Sequence, residues 1–220
     1  MGSDHYGIDY KSVRHFAEEI KSVVDYRVQV GVVIGGGNIF RGVKGADKGF
    51  DRRQGDYMGM MGTVINAMAL EAVLGEINIK AKMLTAFAIE GFGEKIYFQT
   101  VDRYLHGGYV VIFAGGTGNP FFTTDSGAAL RAVEIKADLL LKGTRVDGIY
   151  SEDPEKNPNA VKYDYLSYSE AYERNLGIMD LTAFTLCKEN KMKLCIYNAN
   201  EKGNLLKILQ GDKVGTLLDQ

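Results

Sequence analysis

The sequence predicts an α/β protein, a three-layer α/β/α sandwich around a mainly parallel sheet, and three observations carry that prediction. Apolar runs rich in β-branched residues alternate with segments of helical periodicity along the 220 residues. Two of those runs, residues 28–34 and 109–113, lead straight into glycine-rich loops. Strand followed by helix followed by strand implies right-handed crossovers, hence parallel strands with both faces of the sheet covered.

The elements follow in order. Asp9 is placed to cap a helix in which Val13, Phe16, Ala17, Ile20, Val23 and Val24 recur at helical spacing, and a strand follows from Val28. A second helix is expected over residues 57–74, where Met58, Met61, Ile65, Met68, Ala69 and Ala72 form an apolar stripe suited to a core or a subunit interface. Strands are expected near 82–86, 109–114, 138–142 and 193–198, and a helix over 126–135. With 3 Pro, 27 Gly and no biased tract, no linker is marked, so residues 1–220 read as a single domain.

Composition excludes several classes. A net charge of -2 without a basic stripe argues against a nucleic-acid partner. No apolar run approaches the roughly 20 residues of a membrane helix, and the first residues lack the pattern of a signal peptide, so the expected address is cytoplasmic and no membrane partner is expected. Cys187 and Cys195 form neither a disulfide framework nor a metal motif. His5, His15 and His106 stand in no catalytic context.

The chemistry lies in the loops. Ala114-Gly115-Gly116-Thr117-Gly118-Asn119-Pro120-Phe121-Phe122-Thr123-Thr124-Asp125 runs from a strand into a helix, the junction where α/β sheets bind ligands. Glycines let backbone N–H groups approach an anion, threonine hydroxyls add donors, and the helix start presents a positive dipole end. Gly35-Gly36-Gly37-Asn38-Ile39-Phe40-Arg41-Gly42 repeats the design, with Arg41 as a bidentate phosphate ligand. Two such strand exits in one chain point to two phosphate groups held close together.

These strings, with Gly55-Asp56-Tyr57-Met58-Gly59-Met60 and Lys142-Gly143-Thr144-Arg145-Val146-Asp147-Gly148-Ile149-Tyr150, resemble the bacterial uridylate (UMP) kinases of the amino acid kinase superfamily. The P-loop string of other nucleotide kinases does not occur in the chain. The resemblance implies transfer of the ATP γ-phosphoryl to UMP in pyrimidine nucleotide biosynthesis, with Mg²⁺ held mainly through the ATP phosphates rather than by a protein metal site. It assigns Gly36, Asp56, Thr117, Gly118, Asn119, Pro120, Phe121, Phe122, Thr123 and Thr124 to UMP, the two phenylalanines as an apolar floor. Gly37, Arg41, Thr144, Tyr150 and Asp153 fall to ATP, and Arg41, Asp125, Lys142 and Asp180 to the catalytic centre. Asp147-Gly148 reads as a turn, and Asp125 would look the same as a helix cap.

The resemblance further implies a homo-oligomer, a hexamer, with GTP and UTP as effectors. Members of the family begin with an apolar strand and a Lys-x-Ser-Gly-Glu loop; here the match begins at Tyr6-Gly7-Ile8-Asp9, so the expected fold lacks that first strand. An alternative follows, a UMP-binding but catalytically impaired homologue. A kinase of the same superfamily acting on a carboxylate or carbamate is disfavoured by Asp56 and the Phe121-Phe122-Thr123-Thr124 string.

Overall fold

The computed structural model describes residues 7–40, 49, 51–152, 154, 156–157 and 159–220. Arg41, Asp153 and the segment before Gly7, on which the expectation of a missing strand rests, lie outside them. The chain divides into two compact units, Met1–Arg131 and Ala132–Gln220.

In the first unit, α1 (Tyr10–Val24) starts where expected. The Asp9 carboxylate accepts from the Lys11 N–H and the Ser12 hydroxyl. These bonds hold its pKa below the usual carboxylate value. β1 (Gly31–Val33) follows, then α2 (Arg52–Glu76), β2 (Ala81–Thr85), β3 (Glu94–Lys95), α3 (Phe98–His106) and β4 (Val110–Ala114). The four strands form one parallel sheet in the order β1-β4-β2-β3. All of β4 is buried, as a central parallel strand must be. Ala17 and Ile20 of α1 and Val64, Ala67, Leu70 and Leu74 of α2 share one core with Met83, Val110 and Ile112. α4 (Thr124–Glu134) leaves β4 through the second glycine loop, and the division between the units falls within it.

The second unit begins with β5 (Leu140–Thr144), β6 (Ile149–Tyr150), β7 (Lys162–Tyr163) and β8 (Tyr165–Ser167). α5 (Tyr168–Glu173), α6 (Leu181–Glu189), β9 (Leu194–Asn198), α7 (Asn204–Gln210) and β10 (Thr216–Asp219) complete it. Its sheet has the order β5-β9-β10-β8, with β10 antiparallel to β9 and parallel to β8, while β6 and β7 pair antiparallel by themselves. Tyr168 is buried in this core, its ring edge-on to Phe184 at 5.2 Å and its hydroxyl donating to Met192 O at 2.6 Å. Burial pushes the Tyr168 phenol upward and the Cys195 thiol up to about 11.

Two expectations need correction. The strands among the described residues form two four-stranded sheets and a two-stranded ribbon rather than one sheet. α2 is also long and apolar enough, by length and composition, to cross a membrane, contrary to the expectation that no run comes near it. Half of its most apolar window is buried inside the protein, the pattern of a core helix.

Candidate functional site

In the first unit, α2 organises both glycine loops through two buried polar side chains, Thr63 and Asn66, spaced i, i+3 on its inner face. Thr63 Oγ1 accepts the Gly115 N–H at 2.7 Å and donates to Met60 O at 2.7 Å. Asn66 Nδ2 donates to Gly35 O at 2.7 Å, and its amide pairs reciprocally with that of Asn38 at 2.6 and 3.0 Å. Asn38 donates in turn to Gly7 O at 2.8 Å. Sequence reasoning missed these residues. Their signal was available: polar side chains in an otherwise apolar helix, which folding retains when they are hydrogen-bonded.

Gly36 lies so close to α2 that a Cβ there would collide with the Gly59 carbonyl, the Thr63 N–H and the Gly62 backbone. The absence of a side chain thus lets the first loop pack directly on the helix, while Gly37 follows in the turn closed by Ile39 N and Phe40 N on Gly36 O. The second loop uses glycine differently: Gly115, Gly116 and Gly118 have φ of +81°, +57° and +81°, a region that L side chains rarely enter. Gly118 N–H closes onto Gly115 O at 2.9 Å, and Arg131 Nη2 donates to Gly116 O at 3.4 Å. A Cβ on Gly35 would stand 3.4 Å from Thr124 Oγ1, so the two loops are neighbours, as their sequences imply.

Asp56 sits one turn into α2, whose cap is Asp51, and its carboxylate joins helix to loop. Arg52 Nε donates to both oxygens at 3.0 Å, and the Phe121 N–H donates to Oδ2 at 2.9 Å. The Arg52 guanidinium also lies 5.9 Å from the centre of the Phe121 ring. Phe121 has φ of +72°, and it and Phe122 are exposed beside that carboxylate, where their rings are accessible to a ligand. Thr117 Oγ1 accepts the Asn119 N–H at 3.2 Å, and the half-buried Pro120 extends that turn. Thr123 Oγ1 accepts the N–H groups of Asp125 and Ser126 at 3.1 and 3.2 Å. The oxygen capping α4 therefore belongs to Thr123, and Asp125 stands in the first turn.

The second unit carries a cavity of about 450 Å³ lined by Lys142, Thr144, Gly148, Tyr150, Glu152 and Ile178 among others. It gathers three residues that sequence assigned to the donor side or to catalysis. Lys142 Nζ donates to Ile178 O at 2.8 Å, and the Thr144 hydroxyl donates to Val146 O at 2.7 Å. The Tyr150 hydroxyl donates to Asp147 Oδ1 at 2.6 Å, while Lys162 Nζ reaches Asp147 Oδ2 at 3.1 Å. Those bonds, Tyr150 foremost, hold the Asp147 carboxyl below the usual range and raise the Tyr150 phenol. Asp180 caps α6, accepting the Ala183 N–H at 3.0 Å.

The geometry thus gives one unit two adjacent glycine loops with a carboxylate between helix and loop, and the other a mid-sized cavity with a lysine, a threonine and a tyrosine in its wall. Comparison with known proteins bears on both. A family model described as "Amino acid kinase family" matches residues 2–198. A uridylate kinase of Porphyromonas gingivalis is 53% identical over 216 residues, 98% of this chain and 90% of that protein. One of Phocaeicola vulgatus is 51% identical over 218 residues, 99% of this chain and 92% of that protein. The solved UMP kinase of Ureaplasma parvum superposes with a TM-score of 0.95 at 35% identity, covering 100% of this chain and 94% of that one. On this evidence the chain belongs to the amino acid kinase family, and within that family its similarity is to the uridylate kinases.

Proposed function

We propose that the protein transfers the γ-phosphoryl of ATP to UMP, giving UDP and ADP. The observation that carries the reading is the Asp56 carboxylate bonded to the Phe121 N–H, which ties α2 to the loop that would enclose the acceptor, in a chain about half identical to uridylate kinases. UMP is a phosphomonoester with a second pKa near ~6, so it is mostly dianionic at neutral pH and needs no general base. The work left to the protein is to align two anions and offset their charge.

In this reading the acceptor side is Gly36, Asp56 and residues 117–124, Asp56 accepting from the ribose. The donor side is Gly37, Arg41, Thr144, Tyr150 and Asp153. Arg41 and Lys142 offset phosphate charge, and Asp125 and Asp180 orient the cations. Mg²⁺ enters on the triphosphate, held mainly by its phosphate oxygens. The family model's span of residues 2–198, across both units, supports reading residues 1–220 as one amino acid kinase-type domain of the α/β/α sandwich kind, and its expected address remains the cytoplasm. Tyr57, Met61, Ile65 and Met68 are exposed along α2 and support a homo-oligomer, read from the resemblance as a hexamer with GTP and UTP as effectors.

Calorimetry tests the acceptor side. Asp56→Ala should weaken UMP about ten- to a hundred-fold, the worth of a charge-assisted hydrogen bond, with ATP affinity unmoved. Unchanged UMP affinity would remove Asp56 from the site. UMP binding without any UDP formed would favour the catalytically impaired homologue instead.

A further inference from the structure

Asp147 lies in the bend between β5 and β6, where the sequence shows only an Asp-Gly turn, yet its side chain is fully engaged. One carboxylate oxygen takes the Tyr150 hydroxyl at 2.6 Å and the other the Lys162 ammonium at 3.1 Å. Tyr150 and Lys162 are themselves register partners across the β6–β7 ribbon, so the carboxylate bridges two side chains that the backbone already sets opposite each other. Gly148 makes room for this: a Cβ there would stand 2.8 Å from Lys162 Cε and 2.6 Å from Thr216 Oγ1. The stem of Lys162 therefore runs over Gly148 to reach Asp147. Thr216 in turn accepts the Ile149 N–H at 2.8 Å and donates to Tyr163 O, fixing the ribbon to the strand β10. Of this group, Tyr150 is in the wall of the 450 Å³ cavity, with Gly148 and Ile149.

A tyrosine ring in a cavity wall can turn about two side-chain torsions, and a hydroxyl anchored at its far end removes that freedom before a ligand arrives. Ordering a side chain on binding costs affinity, so anchoring it beforehand raises affinity without adding a contact. We propose that Asp147 and Lys162 are positioning residues for the nucleoside triphosphate donor, holding the Tyr150 ring in the orientation against which the donor's base packs. The proposal rests on reading this cavity as the donor site. It adds that the anchoring pair, which touches no ligand, sets donor affinity.

The test is a calorimetric mutant cycle on the full chain, with a non-hydrolysable ATP analogue plus Mg²⁺ as one probe and UMP as the other, so no turnover is needed. Tyr150→Phe and Asp147→Ala should each weaken the analogue roughly three- to ten-fold, the range of one hydrogen bond, and leave UMP affinity alone. The double variant should lose no more than either single one, because both changes break the same bond. Asp147→Asn keeps an oxygen for the tyrosine hydroxyl and should recover part of the loss; it also serves if Asp147→Ala fails to fold. Tyr150→Ala separates the two layers of the argument. If Tyr150→Ala weakens the analogue while Tyr150→Phe and Asp147→Asn bind it as the parent does, the anchoring proposal is wrong and the donor assignment stands. If Tyr150→Ala also binds the analogue unchanged, the donor assignment falls and the proposal with it. Multiplicative losses in the double variant, or equal losses of analogue and UMP, would likewise overturn it.

Discussion

Thr63 does at the scale of one side chain what the glycine loops cannot do for themselves. Its hydroxyl is the acceptor for the buried Gly115 N–H at 2.7 Å, at the point where β4 gives way to the second glycine loop. Thr63→Val keeps the shape and removes that acceptor, leaving an unsatisfied donor at a cost of about 1–3 kcal/mol. Urea denaturation should show a loss of that size, with Thr63→Ser restoring most of it; a Thr63→Val protein as stable as its parent would mean that the loop finds another partner. The sequence showed Thr63 and Asn66 as polar residues in an apolar helix but not what they bind, because Gly35 and Gly115 come from segments far along the chain. Gly36 was legible as a loop glycine for the same strings, yet its closeness to Gly59 and Gly62 is a tertiary fact. Phe121 and Phe122 were legible as aromatics of the loop, whereas their exposure and the bond from the Phe121 N–H to Asp56 depend on a helix 65 residues away in sequence.

At the scale of the element, α2 shows how far periodicity reaches. The helix itself was legible, and its start at Arg52 is set by Asp51, whose carboxylate accepts from the N–H groups of Arg53 and Gln54. Its inner face was not, because a helix apolar nearly all round gives no contrast between faces. The stripe of Met61, Ile65 and Met68 is exposed, and Val64, Ala67, Leu70, Val73 and Leu74 fill the core instead. Such a stripe on a folded surface fits an interface between copies. Ile65→Lys with Met68→Lys should lower the molecular mass seen in sedimentation, with secondary structure retained by circular dichroism. An unchanged mass would overturn that reading of the stripe. Strand identity was similarly legible for β2, β4, β5 and β9, whereas sheet membership was not. The insertion of β10 between β9 and β8, antiparallel to the first and parallel to the second, depends on pairing partners remote in sequence.

For the whole molecule, the sequence established the class of chemistry and the structure added the arrangement. Glycines, threonines, a lysine and an arginine, with no nucleophile in a catalytic setting, describe a protein that aligns phosphates. The near-neutral charge of -2 fits small anionic ligands better than a polyanion. The residues proposed for the acceptor lie mainly in one unit and the cavity proposed for the donor in the other, each held by its own hydrogen bonds. The central claim is that UMP is the phosphoryl acceptor, and the most direct measurement is the rate of ADP release from ATP and Mg²⁺ across a panel of UMP, CMP, dTMP, AMP, GMP, carbamate and acetylglutamate. The account predicts that UMP gives the highest kcat/KM, by at least about ten-fold over each other acceptor, the worth of one discriminating hydrogen bond, with UDP as the product. Equal use of the other nucleotides, or a carboxylate or carbamate acceptor preferred to UMP, would contradict it.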